Sequence, residues 1–165
     1  MTIETDYYGT IEYEPGDLIT FQDGLFGFPQ LHDFLPLRLS EDNDSILMLI
    51  SIEEKRVVFV IINPLFLDPD YEPILTSEEL SYLGVSDVGE LSCYVICVVK
   101  DNYRESTVNL KCPLLIHPST RQAIQVIMEN SPYGYSHPLG SFASVANGSP
   151  VKGGEEDAGI AQESK

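Results

Sequence analysis

The sequence predicts a mainly β fold: a small antiparallel barrel, closed or nearly closed, with a few short helices. Three observations carry this. Ile46 to Ile52, Val57 to Ile62 and Leu91 to Val99 are near-continuous apolar runs bounded by charged residues, the pattern of strands covered on both faces. Val108, Leu110, Cys112, Leu114 and Ile116 alternate with Thr107, Asn109, Lys111, Pro113 and His117, as along one strand with an inner and an outer face. Turn-forming residues recur at short spacing between these runs, and closure of so many short strands removes exposed sheet edges.

Taken in order, Ile3, Thr5 and Tyr7 alternate with Glu4 and Asp6, Gly9 permits a turn, and Ile11 and Tyr13 resume the alternation, so the chain opens on a half-exposed hairpin. Glu14-Pro15-Gly16-Asp17 suits a type II turn, and Leu18 to Phe21 forms the third strand. Gly24-Leu25-Phe26-Gly27 reads as a hairpin bend that lets Phe26 and Phe28 pack, and Pro29 to Phe34 as a short helical turn. Leu35, Leu37 and Leu39 alternate with Pro36 and Arg38, and the proline places that strand at an edge or beside a bulge.

Helices are minor. Thr76-Ser77-Glu78-Glu79 matches a capping box, Leu80 and Leu83 supply the buried side, and Gly84 ends the helix. A further turn is expected near Val88 to Leu91, and Arg121 to Met128 supply a last strand. From Gly140 the composition shifts to Gly, Ser, Ala, Asn and Glu, with too little apolar area to offset the entropy of ordering. The expected organisation is therefore one domain over 1–139 and a disordered tail over 140–165.

Charge narrows the partners. The 165-residue chain carries a formal charge of -17, and through Glu90 its only cations are Arg38, Lys55 and Arg56. Phosphate binding needs concentrated Lys and Arg, so nucleic acid and anionic membrane are disfavoured, whereas a basic protein is steered toward the first half. No apolar run approaches a bilayer span and the start lacks a signal-peptide pattern, so the chain is expected in the cytoplasm. Three cysteines, with Cys93 and Cys97 inside an apolar strand, fit reduced core residues, and Cys93-x-x-x-Cys97 has no second ligand pair for a metal.

The segment Asn63 to Glu72 is the prime candidate for function. Pro64 and Pro69 stiffen it, and it places Phe66, Asp68, Asp70, Tyr71 and Glu72 on one short connection after an apolar strand. No nucleophile-base pair is nearby, so an ordered loop of this kind suits protein docking better than catalysis. The competing reading is a loop whose Phe66 and Tyr71 close one end of a sheet. His32, His117 and His137 sit in no nucleophile motif, and no phosphate-binding glycine pattern occurs, so neither an enzyme nor a cofactor is expected.

Five stretches resemble the flagellar assembly factor FliW family: Ile19 to Phe28, Asn63 to Glu72, Thr107 to Leu114, Arg121 to Ile127, and His137-Pro138-Leu139. Their order and spacing cover residues 1–139. Gln22, where members often carry proline, Ser136, where a basic residue commonly precedes the histidine, and the tail depart from the pattern. The resemblance implies a cytoplasmic, non-enzymatic binding protein, expected as a monomer, that engages flagellin and, in its absence, the translational regulator CsrA. On that implication Phe66, Asp68, Asp70, Tyr71 and Glu72 are the partner-binding residues, with Tyr71 as anchor. The rival is a small nucleic-acid-binding barrel using Lys100, Arg104, Lys111 and Arg121 with Tyr94 and Tyr103.

Overall fold

The structure, a computed structural model, describes residues 1–5, 8–40, 43–54 and 56–142. Asp6 and Tyr7 of the expected first hairpin, and residues 143–165 of the expected tail, lie outside the described residues. The chain runs β1 (Thr2–Thr5), β2 (Gly9–Glu12), β3 (Ile19–Phe21), β4 (Asp33–Ser40), β5 (Asn43–Ser51), β6 (Val58–Ile62), α1 (Ser77–Leu83), β7 (Ser92–Val98), β8 (Thr107–Val108), β9 (Leu114–Ile116), β10 (Gln122–Gln125) and β11 (His137–Pro138).

Strands β3, β4, β5, β6, β7, β9 and β10 pair in succession, and β10 returns to β3, so seven strands form a closed barrel. Every pairing in the ring is antiparallel except the closing one, where Gln122 lies beside Thr20 and Ala123 beside Phe21 in parallel register. The β1–β2 hairpin is a separate two-stranded sheet.

Each barrel strand sends side chains into one lumen cluster. Ile19 and Phe21, Phe34, Leu49, Ile61, Leu114 and Ile116, and Ala123 are all buried there, with Phe59, Tyr94 and Ile96 against them. Phe21 and Phe34 meet edge to face at 5.8 Å between ring centres, a favoured aromatic geometry. The opposite faces of β5, β6 and β7 are apolar too: Met48, Val60, Ile62, Val95 and Cys97 pack outward beneath a mantle of loops and α1. That two-sided burial is why these strands read as continuous apolar runs rather than alternating ones. On the other flank the hairpin covers Leu35 and Ile50 through Ile3.

Several local expectations hold for the physical reasons given. Thr76 accepts from the Glu79 N–H at 3.1 Å while Glu79 accepts from the Thr76 N–H at 2.8 Å, and Gly84 ends the helix at φ 77°. Leu83 is buried and Leu80 packs against the mantle. Pro36 sits where the β3 pairing has already ended at Phe34, and the β4–β5 register shifts between Arg38 and Ser40. A 3-10 turn forms at Val88–Glu90.

Others are corrected. Residues 15–17 form a 3-10 turn, not a type II turn, because the Asp17 carboxylate folds back to accept from the Glu14 N–H, and Gly16 does not take positive φ. No helical turn forms over 29–34: the Glu53 carboxylate accepts from the N–H groups of His32 and Asp33, and Asp33 starts β4. Phe28 packs on Phe59, but Phe26 is exposed. The alternation over 107–117 is not one strand. β8 pairs with one end of β7 and β9 with the other, so Val108 and Leu110 lie in the mantle while Leu114 and Ile116 lie in the lumen. Asn109 makes this break possible, its side-chain oxygen accepting from the N–H groups of Lys111 and Cys112.

Candidate functional site

The loop after β6 is ordered by its own side chains. Asn63 accepts from the Leu65 N–H at 2.9 Å and caps a 3-10 turn over Pro64–Phe66. Five residues on, Asp68 repeats the device: Oδ1 accepts from the Asp70 N–H at 2.9 Å and its carbonyl from the Tyr71 N–H. Two Asx-type turns in ten residues leave the segment little freedom despite its lack of regular structure.

Tyr71 is the keystone. It is 3% exposed, and its hydroxyl donates to the Leu110 carbonyl at 2.8 Å. Burial, with smaller effects from Cys93, Tyr133 and Cys112, raises its phenol far above the ordinary range, so it stays a neutral donor. The expectation that the loop displays Tyr71 is therefore corrected: the ring faces inward and ties the loop to the β8–β9 break. Phe66 likewise packs against the mantle core. For these two side chains the structure realises the packing role. Asp70 and Glu72 are exposed and Asp68 is half-buried.

Tyr133, not singled out in the sequence, completes the site. Its ring lies 4.9 Å from that of Tyr71, and its hydroxyl donates to Asp68 Oδ2 at 3.0 Å. Its phenol is raised by burial first, then by the bond to Asp68 and by the charges of Asp68, Asp70 and Glu72. Asp68 thus bonds this side chain directly, and the charges of Asp70 and Glu72 add to a negative local field there. Behind Tyr133, His137 stands edge-on at 6.2 Å, its Nε2 accepting from the Gly134 N–H at 2.7 Å, and Phe142 follows at 6.4 Å. The described chain therefore continues to pack beyond Leu139, the expected end of the domain. The only sequence signal for Tyr133 is its place in an aromatic-rich stretch, Tyr133-Gly134-Tyr135-Ser136-His137. Its partner lies 65 residues away.

Remaining candidates are scattered. Arg121 donates to the Asp17 carbonyl, Lys111 to the Glu129 carbonyl while lying over the Tyr135 ring, and Arg104 lies over Tyr103. These cations are each tied locally rather than aligned with Tyr94, whose hydroxyl donates to the Asp44 carbonyl. His117 Nδ1 accepts from the N–H groups of Ser119 and Thr120 and holds a turn. Cys93 and Cys97 are free thiols pushed up to about 12 by burial, which suppresses thiolate chemistry. Among the described residues, no group of three or more His, Cys, Asp or Glu side chains is placed to hold a metal, and no helix is long and apolar enough to cross a membrane.

Comparison with known proteins gives a consistent answer. The family model described as "FliW protein" matches residues 2–139. The chain is 34% identical over 139 residues to the flagellar assembly factor FliW of Caldanaerobacter subterraneus, covering 84% of this chain and 93% of the relative. It is 36% identical over 140 residues to the FliW of an Exiguobacterium species, covering 85% and 95%. A crystal structure of the flagellar assembly factor FliW superposes with a TM-score of 0.77 at 32% identity, covering 84% of this chain and 96% of that one. A seven-strand barrel, a match across its whole length and relatives above 30% identity converge on one conclusion: this chain belongs to the FliW family of flagellar assembly factors.

Proposed function

We propose that this chain is a cytoplasmic, monomeric binding protein that holds flagellin when flagellin accumulates and captures the translational regulator CsrA when flagellin is exported. Capture of CsrA relieves its repression of flagellin translation. The observation that carries the reading is the family match over 2–139, which spans every strand of the barrel and α1. Charge supports the CsrA arm: a formal -17, concentrated before Glu90, attracts an RNA-binding protein whose own surface is basic. The work done is binding, with no bond made or broken.

In this reading Asp70 and Glu72 face the partner. Phe66, Asp68 and Tyr71 act from behind, fixing the loop so that little ordering entropy is lost on binding. The test is a competition titration with purified flagellin and CsrA. Flagellin is expected to displace CsrA from the protein, and Glu72→Lys to weaken at least one partner about tenfold. Simultaneous binding of both without mutual effect would remove the partner exchange, and binding of neither would remove the function.

A further inference from the structure

Four large apolar side chains are exposed along one band of the surface: Ile74 (63%), Phe26 (51%), Tyr82 (46%) and Ile127 (43%). Three hydrogen bonds, each made through at least one side chain, link their segments. The Ile74 N–H donates to Met128 Sδ at 3.1 Å, the Phe26 N–H to Gln125 Oε1 at 2.8 Å, and the Tyr82 hydroxyl to Gln22 Oε1 at 2.9 Å. These bonds join Tyr82 of α1 to the turn after β3, that turn to the end of β10, and the segment after β10 to residue 74, so the four side chains lie along a linked stretch of the surface. Beyond β10, Val126 and Met128 are buried and donate to the Pro113 and Lys111 carbonyls, so Ile127 and Glu129 point outward on the alternate positions. The Ile127 N–H has no partner among the described residues.

A monomer seldom exposes a cluster of this kind without using it. Its rim is acidic. Glu78 lies one helical turn before Tyr82 on the same face of α1, Glu129 flanks Ile127, and Glu72 leads into Ile74 from the loop described above. Asp23 is close enough to Tyr82 to add to the rise that burial causes in its phenol. All four carboxylates are exposed.

We propose that this band is a docking surface for a polypeptide segment that presents apolar side chains between lysine or arginine residues. The apolar strip buries the partner's hydrophobic positions, the rim pairs with its cations, and the Ile127 N–H takes a carbonyl from its backbone. The inference rests on the reading that the chain works by binding polypeptides, and it adds a surface that extends beyond the Asn63–Glu72 loop and adjoins it at Glu72. It excludes nucleic acid as occupant, because the rim repels phosphate.

The test uses the full chain and two double variants, Phe26→Ser with Ile127→Ser and Asp23→Lys with Glu78→Lys, each checked for native circular dichroism and melting. Val98→Ser, at an exposed apolar residue on β7, is the control. Purified CsrA is the first probe. The first variant is expected to weaken binding at least tenfold. The second is expected to weaken it similarly and to flatten its salt dependence, while the control binds as the native chain does. If folded variants bind CsrA as the native chain does, the band is not the surface, although the proposed function stands. If the native chain does not bind CsrA, that function fails, and a synthetic peptide alternating leucine with lysine decides the band alone: binding that both variants lose supports it, and no binding overturns it. Self-association of the native chain that the first variant abolishes also overturns it, by showing that a second copy is the occupant.

Discussion

The lumen of the barrel and the mantle outside it are both buried, yet they are built by different chemistry. The lumen is filled by aliphatic and aromatic side chains such as Phe21, Phe34, Leu49 and Ile61, which need only shape and burial. The mantle mixes Leu67, Leu83 and Met128 with Tyr71, Tyr133 and Asp68, whose polar atoms must each find a partner. A region held by volume tolerates no cavity but carries no specificity, whereas a region held by a few directed bonds fixes the conformation of the loop above it. On the proposed reading, function rests on the mantle and stability on the lumen.

Breaking the lumen should have the largest effect. Phe34→Ala removes a fully buried ring that touches both Phe21 and Phe59. It is expected to cost about 3–5 kcal/mol by urea denaturation, with loss of the folded state in cells a reasonable consequence. A cost below about 1 kcal/mol would mean that the lumen is not tightly packed.

Cutting a directed bond in the mantle should cost less stability but more binding. Tyr71→Phe keeps the ring and deletes only the donor to Leu110, for a loss of about 1–3 kcal/mol because the buried carbonyl is left without that partner. Partner affinity should fall with melting temperature well above assay temperature. Unchanged affinity in a folded variant would detach Tyr71 from the site.

Alkaline pH separates the regions again, because the half-buried thiol of Cys93 and the buried thiol of Cys97 lie outside the lumen cluster. Their folded values, near 12, stand above the ordinary thiol value, so the folded state holds protons that the unfolded chain releases. The stability they contribute is complete below the unfolded value of about 9 and is lost as pH rises toward 12. By pH 10 the loss is on the order of 1 kcal/mol per thiol, read as a falling urea midpoint. Cys97→Ala should flatten that slope. The smallest effect is expected at the surface cap, where Thr76→Ala removes one acceptor from α1 at about 1 kcal/mol, measured by the same titration.

The same division explains what was legible in the sequence. Barrel strands announce themselves because lumen side chains recur with strand periodicity and because β5, β6 and β7 are apolar on both faces. The capping box at Thr76 and the turn-forming Asn63 and Asp68 are local devices, readable from three or four neighbouring residues. The parallel closure of β10 on β3 is not, since it depends on where 100 residues of intervening chain return. Nor is the break at Asn109, where unbroken alternation disguises a passage from mantle to lumen. In the site, the acidic members and the rigidity of the loop were readable, while the inward turn of Tyr71 and the whole part played by Tyr133 depend on contacts across 39 and 65 residues. Exposed residues such as Ile74 and Ile127 carry no local signal at all, because apolar positions in a sequence are read by default as core.

Amide hydrogen exchange with and without saturating CsrA, and then flagellin, tests the central claim directly. The account predicts new protection over 63–76 and 125–129, with the lumen strands β4 and β6 unchanged because they are already slow. Protection confined to the β1–β2 hairpin, or a lumen that gains protection while the mantle does not, would contradict it.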